Sequence, residues 1–323
     1  MKYISLVISF LITIQFVHSQ DLVPYRNSKG KWGFCDKTKK IIAKPKYDWV
    51  ECFTGKYARV KVDEKYGFID NNGKEILTPR YEEALEFANN HAHVKMGGKW
   101  GVINNKMQEI VSPRYEEILD LAEGYIAVQI GYKWGLLDSN CREVLSPRYD
   151  FIGGFSNGYA PIKLERKWGL IDREGKEVIA PKYDAIGGNY SGYVAVMTGW
   201  KWDFFHIETK KILKAQYNGV YSFAQGYIVI QVGNKYGLID KSMKEVISPT
   251  YTYLSSFSEG YATFLIDGKR GMIDSNFKEF ALAGYNVVMP FSEGFAIVGV
   301  DNKWGFINKS MKEVVPPTYD EVM

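Results

Sequence analysis

Apolar and polar residues alternate over six-residue stretches that recur along nearly the whole chain. In Tyr57-Ala58-Arg59-Val60-Lys61-Val62, Ala58, Val60 and Val62 alternate with Arg59 and Lys61, the period of a strand with one buried face. The same inward triplet returns as Ala92/Val94/Met96, Ile126/Val128/Ile130 and Ala296/Val298/Val300. Two residues follow, such as Gly97-Gly98, Gly233-Asn234 or Asp301-Asn302, which suit a hairpin turn whose central residues take positive φ. The second strand is apolar on both sides, as in Trp100-Gly101-Val102-Ile103. Its glycine predicts close approach of a ring or another backbone. Asp or Asn ends this strand, as at Asp36, Asp70 and Asn104, placed to cap the next turn. A third strand, such as Glu75-Ile76-Leu77, runs into a proline in seven copies and is expected to end there, because proline lacks the ladder donor.

This unit returns every 34 residues in nine copies, without insertion or deletion. Its register is marked by Trp32-Gly33, Tyr66-Gly67, Trp100-Gly101, Trp134-Gly135, Trp168-Gly169, Trp202-Asp203, Tyr236-Gly237, Arg270-Gly271 and Trp304-Gly305. A fixed period of this kind marks a tandem-repeat architecture, in which each unit buries its apolar face against its neighbours. The expected fold is all-β: three-stranded meanders, each with a linking turn that has room for a fourth strand. The best helix candidate, residues 81–89, is undercut by Gly153-Gly154 and Gly187-Gly188 at equivalent places. Stacked meanders make an open β-solenoid or superhelix, and the alternative is a β-propeller-like closed ring with about four to eight four-stranded blades. The first copy replaces the inward triplet with Pro24, Arg26 and Ser28, a polar strand that reads as a solvent-facing cap and favours the open form.

Residues 1–19 carry a short positive start, a mostly apolar run over 4–17 and a small residue, Ser19, ahead of a cut before Gln20. This is the pattern of a secretory signal peptide, and it is shorter than the ~20 apolar residues that span a bilayer. The expected product is an exported array over residues 20–323, with no transmembrane segment after cleavage and no room for a separate catalytic domain. A net charge of +4 spread over 24% charged residues is no nucleic-acid footprint. Cys35 fills a column otherwise held by Ile69, Ile103, Leu137 and their equivalents, and so reads as core. Cys35 and Cys52 share a repeat, which leaves a local disulfide open, and the third cysteine, Cys141, makes the count odd.

Together, Gly-Lys-Trp-Gly-Val-Ile-Asn around Trp100, Lys-Glu-Val-Ile-Ala-Pro-Lys-Tyr-Asp around Pro181 and Phe-Ser-Asn-Gly-Tyr-Ala around Tyr159 resemble the WG-repeat (KWG) proteins over residues 20–323. The resemblance implies an exported or multidomain bacterial repeat protein without an assigned enzymatic role. It also carries a loose likeness to the aromatic-rich hairpin repeats that bind bacterial cell walls.

Three columns bear on chemistry. A tyrosine stands in every copy (Tyr47, Tyr81, Tyr115 and onward), and a lysine precedes every Trp-column residue (Lys31, Lys65, Lys99 and onward). Stacked in register, the lysines form a basic row able to follow a polyanion, but a nearly regular acidic row (Glu75, Glu109, Glu143 and onward) favours cross-strand pairing or simple solvation of the faces. The Asp column repeats too often to be catalytic. No nucleophile–base pairing or phosphate loop is present, so no catalytic residue and no cofactor is expected. His91 and His93 alternate on one strand, but no third donor lies nearby in sequence, so no metal site is expected.

Aromatic residues make up 15% of the chain, and most of the column aromatics read as core, because a small unit needs large side chains to bury a surface. Trp49 and Trp200 stand outside the Trp-Gly column, and Trp200 falls in a hairpin turn, where exposure is expected. Arg270 replaces the column aromatic in one of the two most divergent copies. Trp200, Trp49 and Arg270 are therefore the candidate partner-binding residues. The function expected is a non-enzymatic scaffold that binds a protein or envelope partner, the alternative being a carbohydrate- or cell-wall-binding module.

Overall fold

The computed structural model describes residues 22–88 and 90–322, and the predicted signal segment, residues 1–19, lies outside them. The architecture is all-β, as expected: nine antiparallel sheets follow one another along the chain, one per repeat, and none closes into a barrel. The sole helical element among the described residues is the short 3-10 turn Ala122–Gly124. Residues 81–88 of the helix candidate form no helix; the strand Glu83–Ala84 runs there instead.

Each sheet after the first has four strands rather than three. In the second sheet these are Trp49–Val50, Tyr57–Val62, Lys65–Asp70 and Glu75–Tyr81, paired in chain order. The linking turn supplies the extra strand, where Trp49 pairs with Lys61 and Val50 with Val60. With only two to six residues per copy, it was too short to show a period of its own. The first sheet has three strands, Val23–Arg26, Trp32–Cys35 and Ile41–Tyr47.

The proline does not end the last strand. Tyr66 pairs with Tyr81 and Phe68 with Leu77, so Thr78, Pro79 and Arg80 together oppose Gly67 alone. The three residues bulge out of the ladder, and a bulge needs no donor from its proline. The bulge pushes backbone across the glycine. A Cβ at Gly67 would lie 2.4 Å from the Leu77 carbonyl oxygen, and one at Gly101 would lie 2.5 Å from that of Val111. Under a bulge that contains proline, the glycine of the Trp-Gly pair leaves room for this close approach, which is of backbone rather than of a ring.

The bulge delivers the tyrosine column into the core. Tyr47, Tyr81, Tyr115 and Tyr149 are almost fully buried. Phe68, Leu77 and Tyr81 of the second sheet pack with Ala84, Val94 and Ile103 of the third, and Leu238 and Tyr251 of the seventh with Leu254, Phe264 and Ile273 of the eighth. The hydroxyls of Tyr47, Tyr81, Tyr149, Tyr251 and Tyr285 are satisfied by a glutamate of the next repeat. Tyr81 donates to Glu109 at 2.6 Å, Tyr149 to Glu177 at 2.6 Å and Tyr47 to Glu75 at 3.2 Å. The acidic row is therefore taken by tyrosine, and the lysine row pairs elsewhere. Lys31 reaches Asp48, Lys99 reaches Glu116 and Lys167 reaches Asp184, each at 2.5 Å. These acids stand directly after the tyrosines and also accept backbone N–H groups of the hairpin turn, as Asp48 does from Asp63 at 3.0 Å. Their carboxyls lie below the ordinary range chiefly through the lysine hydrogen bond. Of the two uses expected for the lysine row, pairing with the Glu75 row does not occur for these lysines, because the buried phenols hold those carboxylates.

Every Asp or Asn of the capping column accepts two backbone N–H groups, as Asp70 does from Asn72 and Lys74 at 2.9 Å each. All three cysteines are free, so no local Cys35–Cys52 disulfide forms. Cys141 is buried, and that burial pushes its thiol up to about 11. By its contacts the chain divides into two compact units, Met1–Arg148 and Tyr149–Met323. The described residues contain no helix long and apolar enough to cross a membrane.

If the Trp-Gly glycine is held under the bulge, Gly101→Ala should cost about 1–3 kcal/mol, because the added methyl must displace a backbone carbonyl. Gly284→Ala, where a Cβ meets nothing within 4 Å, should stay within about 0.5 kcal/mol of wild type. Thermal and urea melts of the two variants compare them directly.

Candidate functional site

The repeat around Trp202 departs from the others in three linked ways. Asp203 replaces the glycine, Ala215 the proline and Lys211 the acid that should meet the preceding tyrosine. The first two changes compensate each other. Ala215 restores a backbone donor that proline lacks, and the buried Asp203 carboxylate accepts from Ala215 N at 2.9 Å and Gln216 N at 3.0 Å. Burial raises the Asp203 pKa, but these hydrogen bonds, that of the Gln216 side chain and the Lys214 charge outweigh it, and the carboxyl lies below its ordinary value. The third change is uncompensated: the buried Tyr183 hydroxyl has no hydrogen-bond partner.

The preceding side of this repeat is open. Where other copies carry Glu51-Cys52 or Leu85-Glu86, the fifth and sixth sheets carry Gly153-Gly154 and Gly187-Gly188. The missing side chains leave an apolar hollow of about 400 Å³ in the second unit, walled by Phe151, Tyr159, Trp168, Ile186 and Val194, with Asn189 as a polar group. Phe151 stands edge-on to Trp168, with centroids 5.6 Å apart, and the Lys163 ammonium lies 5.0 Å from the Trp168 ring centre. A second, polar hollow of about 510 Å³ shares Tyr159 and is lined by Asp172, Arg173, Glu174, Glu208 and Lys210. Both fall within the ~300–1,000 Å³ range of ligand pockets.

The three residues singled out by sequence lie in different settings. Trp200 is 83% exposed in the hairpin turn after Tyr193–Thr198, with φ +64°. Trp49 is 39% exposed on its short strand, edge-on to Tyr66 at 6.0 Å and 5.9 Å from the Arg59 guanidinium. Arg270 is half-buried opposite Leu265, and its carbonyl accepts from Leu282 N at 2.8 Å. Trp49 belongs to the first unit and the other two to the second, on the sixth and eighth sheets. Sequence reading passed over Tyr132, which at 92% exposed occupies the same turn position as Trp200, two repeats earlier. Its signal was present: an aromatic residue in a turn column otherwise filled by polar residues and glycine.

The structure also brings together donors that the sequence kept apart. His91 and His93 project from the strand His91–Met96 and stack at 5.4 Å, and Asp120 ends the strand Glu117–Asp120 of the next sheet. The donor atoms of the three residues lie within 4.8 Å of one another. Burial holds the His93 pKa below its ordinary value.

The profile of the WG containing repeat family matches residues 32–66, 66–100, 100–134, 134–168, 168–202, 208–236, 236–269, 271–304 and 304–323. The match breaks at the Trp202 and Arg270 copies, the two most divergent by sequence. No curated protein matches the chain. Among solved structures, a eukaryotic initiation factor aligns at 13% identity over 92% of this chain and 95% of its own, with a TM-score of 0.42. The extracellular domain of a putative hybrid two-component system from B. thetaiotaomicron aligns at 10% identity over 91% of this chain and 56% of its own, TM-score 0.27. PorZ, a surface component of the type-IX secretion system of Porphyromonas gingivalis, aligns at 9% identity over 91% of this chain and 50% of its own, TM-score 0.26. The chain spans only about half the length of the last two.

Asp203→Gly should cost about 1–3 kcal/mol by orphaning two backbone donors, and Ala215→Pro in the same chain should recover part of that loss. The Asp203 contribution is fully present above the ordinary carboxylate pKa and disappears as pH falls through its lowered value. The Asp203→Gly/Ala215→Pro chain should therefore lose less stability than wild type below about pH 4. Melts across pH test both statements. Lys211→Glu should restore the missing acceptor for Tyr183 and raise the melting temperature, by about 1 kcal/mol of stability.

Proposed function

Because the chain belongs to the WG containing repeat family, we propose that it is an exported, non-enzymatic scaffold that binds a protein partner through side chains standing outside the repeat grammar. The repeated polar groups already have structural tasks: the Asp column caps turns, the tyrosines and glutamates join sheets, and the lysines tie the turns. None is left as an acid–base pair. The amino-terminal signal pattern supports export.

One observation carries the reading: Trp200 protrudes at 83% exposure from a turn that holds it at φ +64°. The same turn position takes Gly98 at φ +71° and Gly268 at φ +76°, and in other copies the polar Glu64 at φ +61° and Arg166 at φ +68°, so what sets Trp200 apart is its large apolar side chain. An L-residue in the left-handed region costs about 1–2 kcal/mol, and a large exposed indole returns no core packing for that cost. Tryptophan is the side chain most enriched among interface hot spots, and a protruding one fits a pocket on a partner. A carbohydrate reading is favoured by the hollow beside Trp168, where an aromatic wall and Asn189 suit a sugar ring.

Trp200→Gly separates function from folding. It should keep or raise the melting temperature, yet abolish the discrete adduct formed in native envelope fractions by a photo-crosslinker placed elsewhere in the same turn. An unchanged adduct would remove Trp200 from the interface. Co-sedimentation with insoluble peptidoglycan and polysaccharides, alongside Trp168→Ala, decides the second reading. Saturable binding weakened by the variant supports it, and no binding by wild type rejects it for those polymers.

A further inference from the structure

We propose that His91, His93 and Asp120 form a binding site for a divalent transition-metal ion of the zinc class. His91 Nε2 lies 3.4 Å and His93 Nε2 3.3 Å from the same Asp120 oxygen, Oδ1. Zinc bonds to nitrogen and oxygen run about 2.0–2.1 Å, which places neighbouring ligand atoms of a tetrahedron about 3.3–3.5 Å apart. Two edges of the donor triangle thus already have the spacing that a bound ion requires, and the third is under 4.8 Å.

The second observation is independent of those spacings. His93 is only 4% exposed, and its Nε2 has no hydrogen-bond partner. At 3.3 Å from Asp120 it is near enough to bond but lacks the geometry to do so. A buried nitrogen in that state usually calls for an explanation, and a shared ion between the three donors supplies one. One repeat earlier the equivalent space is filled differently. Arg59, in the His93 column, bonds Glu51 at 2.6 Å and the Ala84 carbonyl at 2.7 Å, with Glu86, in the Asp120 column, 3.9 Å away. In the third repeat Leu85 replaces the Glu51 column and histidine replaces arginine, so no fixed cation faces Asp120 from that position. A metal ion restores the missing positive charge.

Two imidazoles and one carboxylate select borderline divalent metals over Mg²⁺ or Ca²⁺, which prefer all-oxygen shells. Asp120 is 47% exposed, so ions enter from solvent, and three protein donors leave a fourth position for water or a donor from another molecule. The ion would join the strand His91–Met96 of the third sheet to Glu117–Asp120 of the fourth, linking two repeats within the first unit.

The test is calorimetric titration of ZnCl₂ into the purified, untagged chain, with melting curves in parallel. The expected result is one saturable site per chain, a raised melting temperature with Zn²⁺ and no response to MgCl₂. His93→Gln and Asp120→Asn should each weaken binding at least about tenfold with unchanged far-UV circular dichroism. Asp120 is exposed enough that its variant folds even if His93→Gln does not. Absence of saturable binding by wild type, or binding that survives Asp120→Asn undiminished, overturns the proposal.

Discussion

A carbonyl oxygen lying where a side chain would begin sets the rest of this structure. In eight of the nine repeats the last strand bulges over a glycine, or passes close against it, so that an added Cβ would sit within about 2.5 Å of backbone oxygen. Where the bulge forms, it accommodates a proline in a sheet and brings a tyrosine back into pairing opposite the column aromatic. From there the chain enters the first strand of the next sheet. A unit of 34 residues is too small to hold a core of its own, and the tyrosine packs against the following sheet, as Tyr81 does with Val94 and Ile103.

The polar groups follow from that geometry. A phenol buried between sheets must donate to something, and the glutamate 28 residues later accepts, as Glu109 does from Tyr81. With the glutamates committed, the lysines turn to the acids beside the hairpin turns. These pairs are largely solvated, so their worth lies in fixing turn geometry more than in stability. Several of the regular charges are thus held in pairs, as Lys31 is by Asp48 and Lys167 by Asp184.

The Trp202 repeat shows how far the pattern bends. Replacing glycine by Asp203 and proline by Ala215 exchanges a steric solution for a hydrogen-bonded one, with the backbone donors still satisfied. Replacing glutamate by Lys211 is not balanced, and Tyr183 keeps an orphaned hydroxyl. Beside it, the two glycine pairs open the hollow at Trp168. Divergence here is structural repair at one place and new empty space at another, which a count of mismatches cannot distinguish.

The sequence by itself determined what depends on period and local chemistry: nine units, the all-β class, the hairpin turns, the Asx caps and the exposure of Trp200. Those signals lie within a few residues of one another, and repetition amplifies them. It left open whether the linking turn holds a fourth strand, because a stretch such as Trp49–Val50 is too short to alternate visibly. It also ended the last strand at proline, because a bulge is visible only against its partner. Only the tertiary structure decided which acids the lysines and tyrosines meet, and that Asp120 faces His91 and His93 across 29 and 27 residues. Such contacts form between sheets, where the distance between side chains is set by packing and leaves no trace in the spacing along the chain.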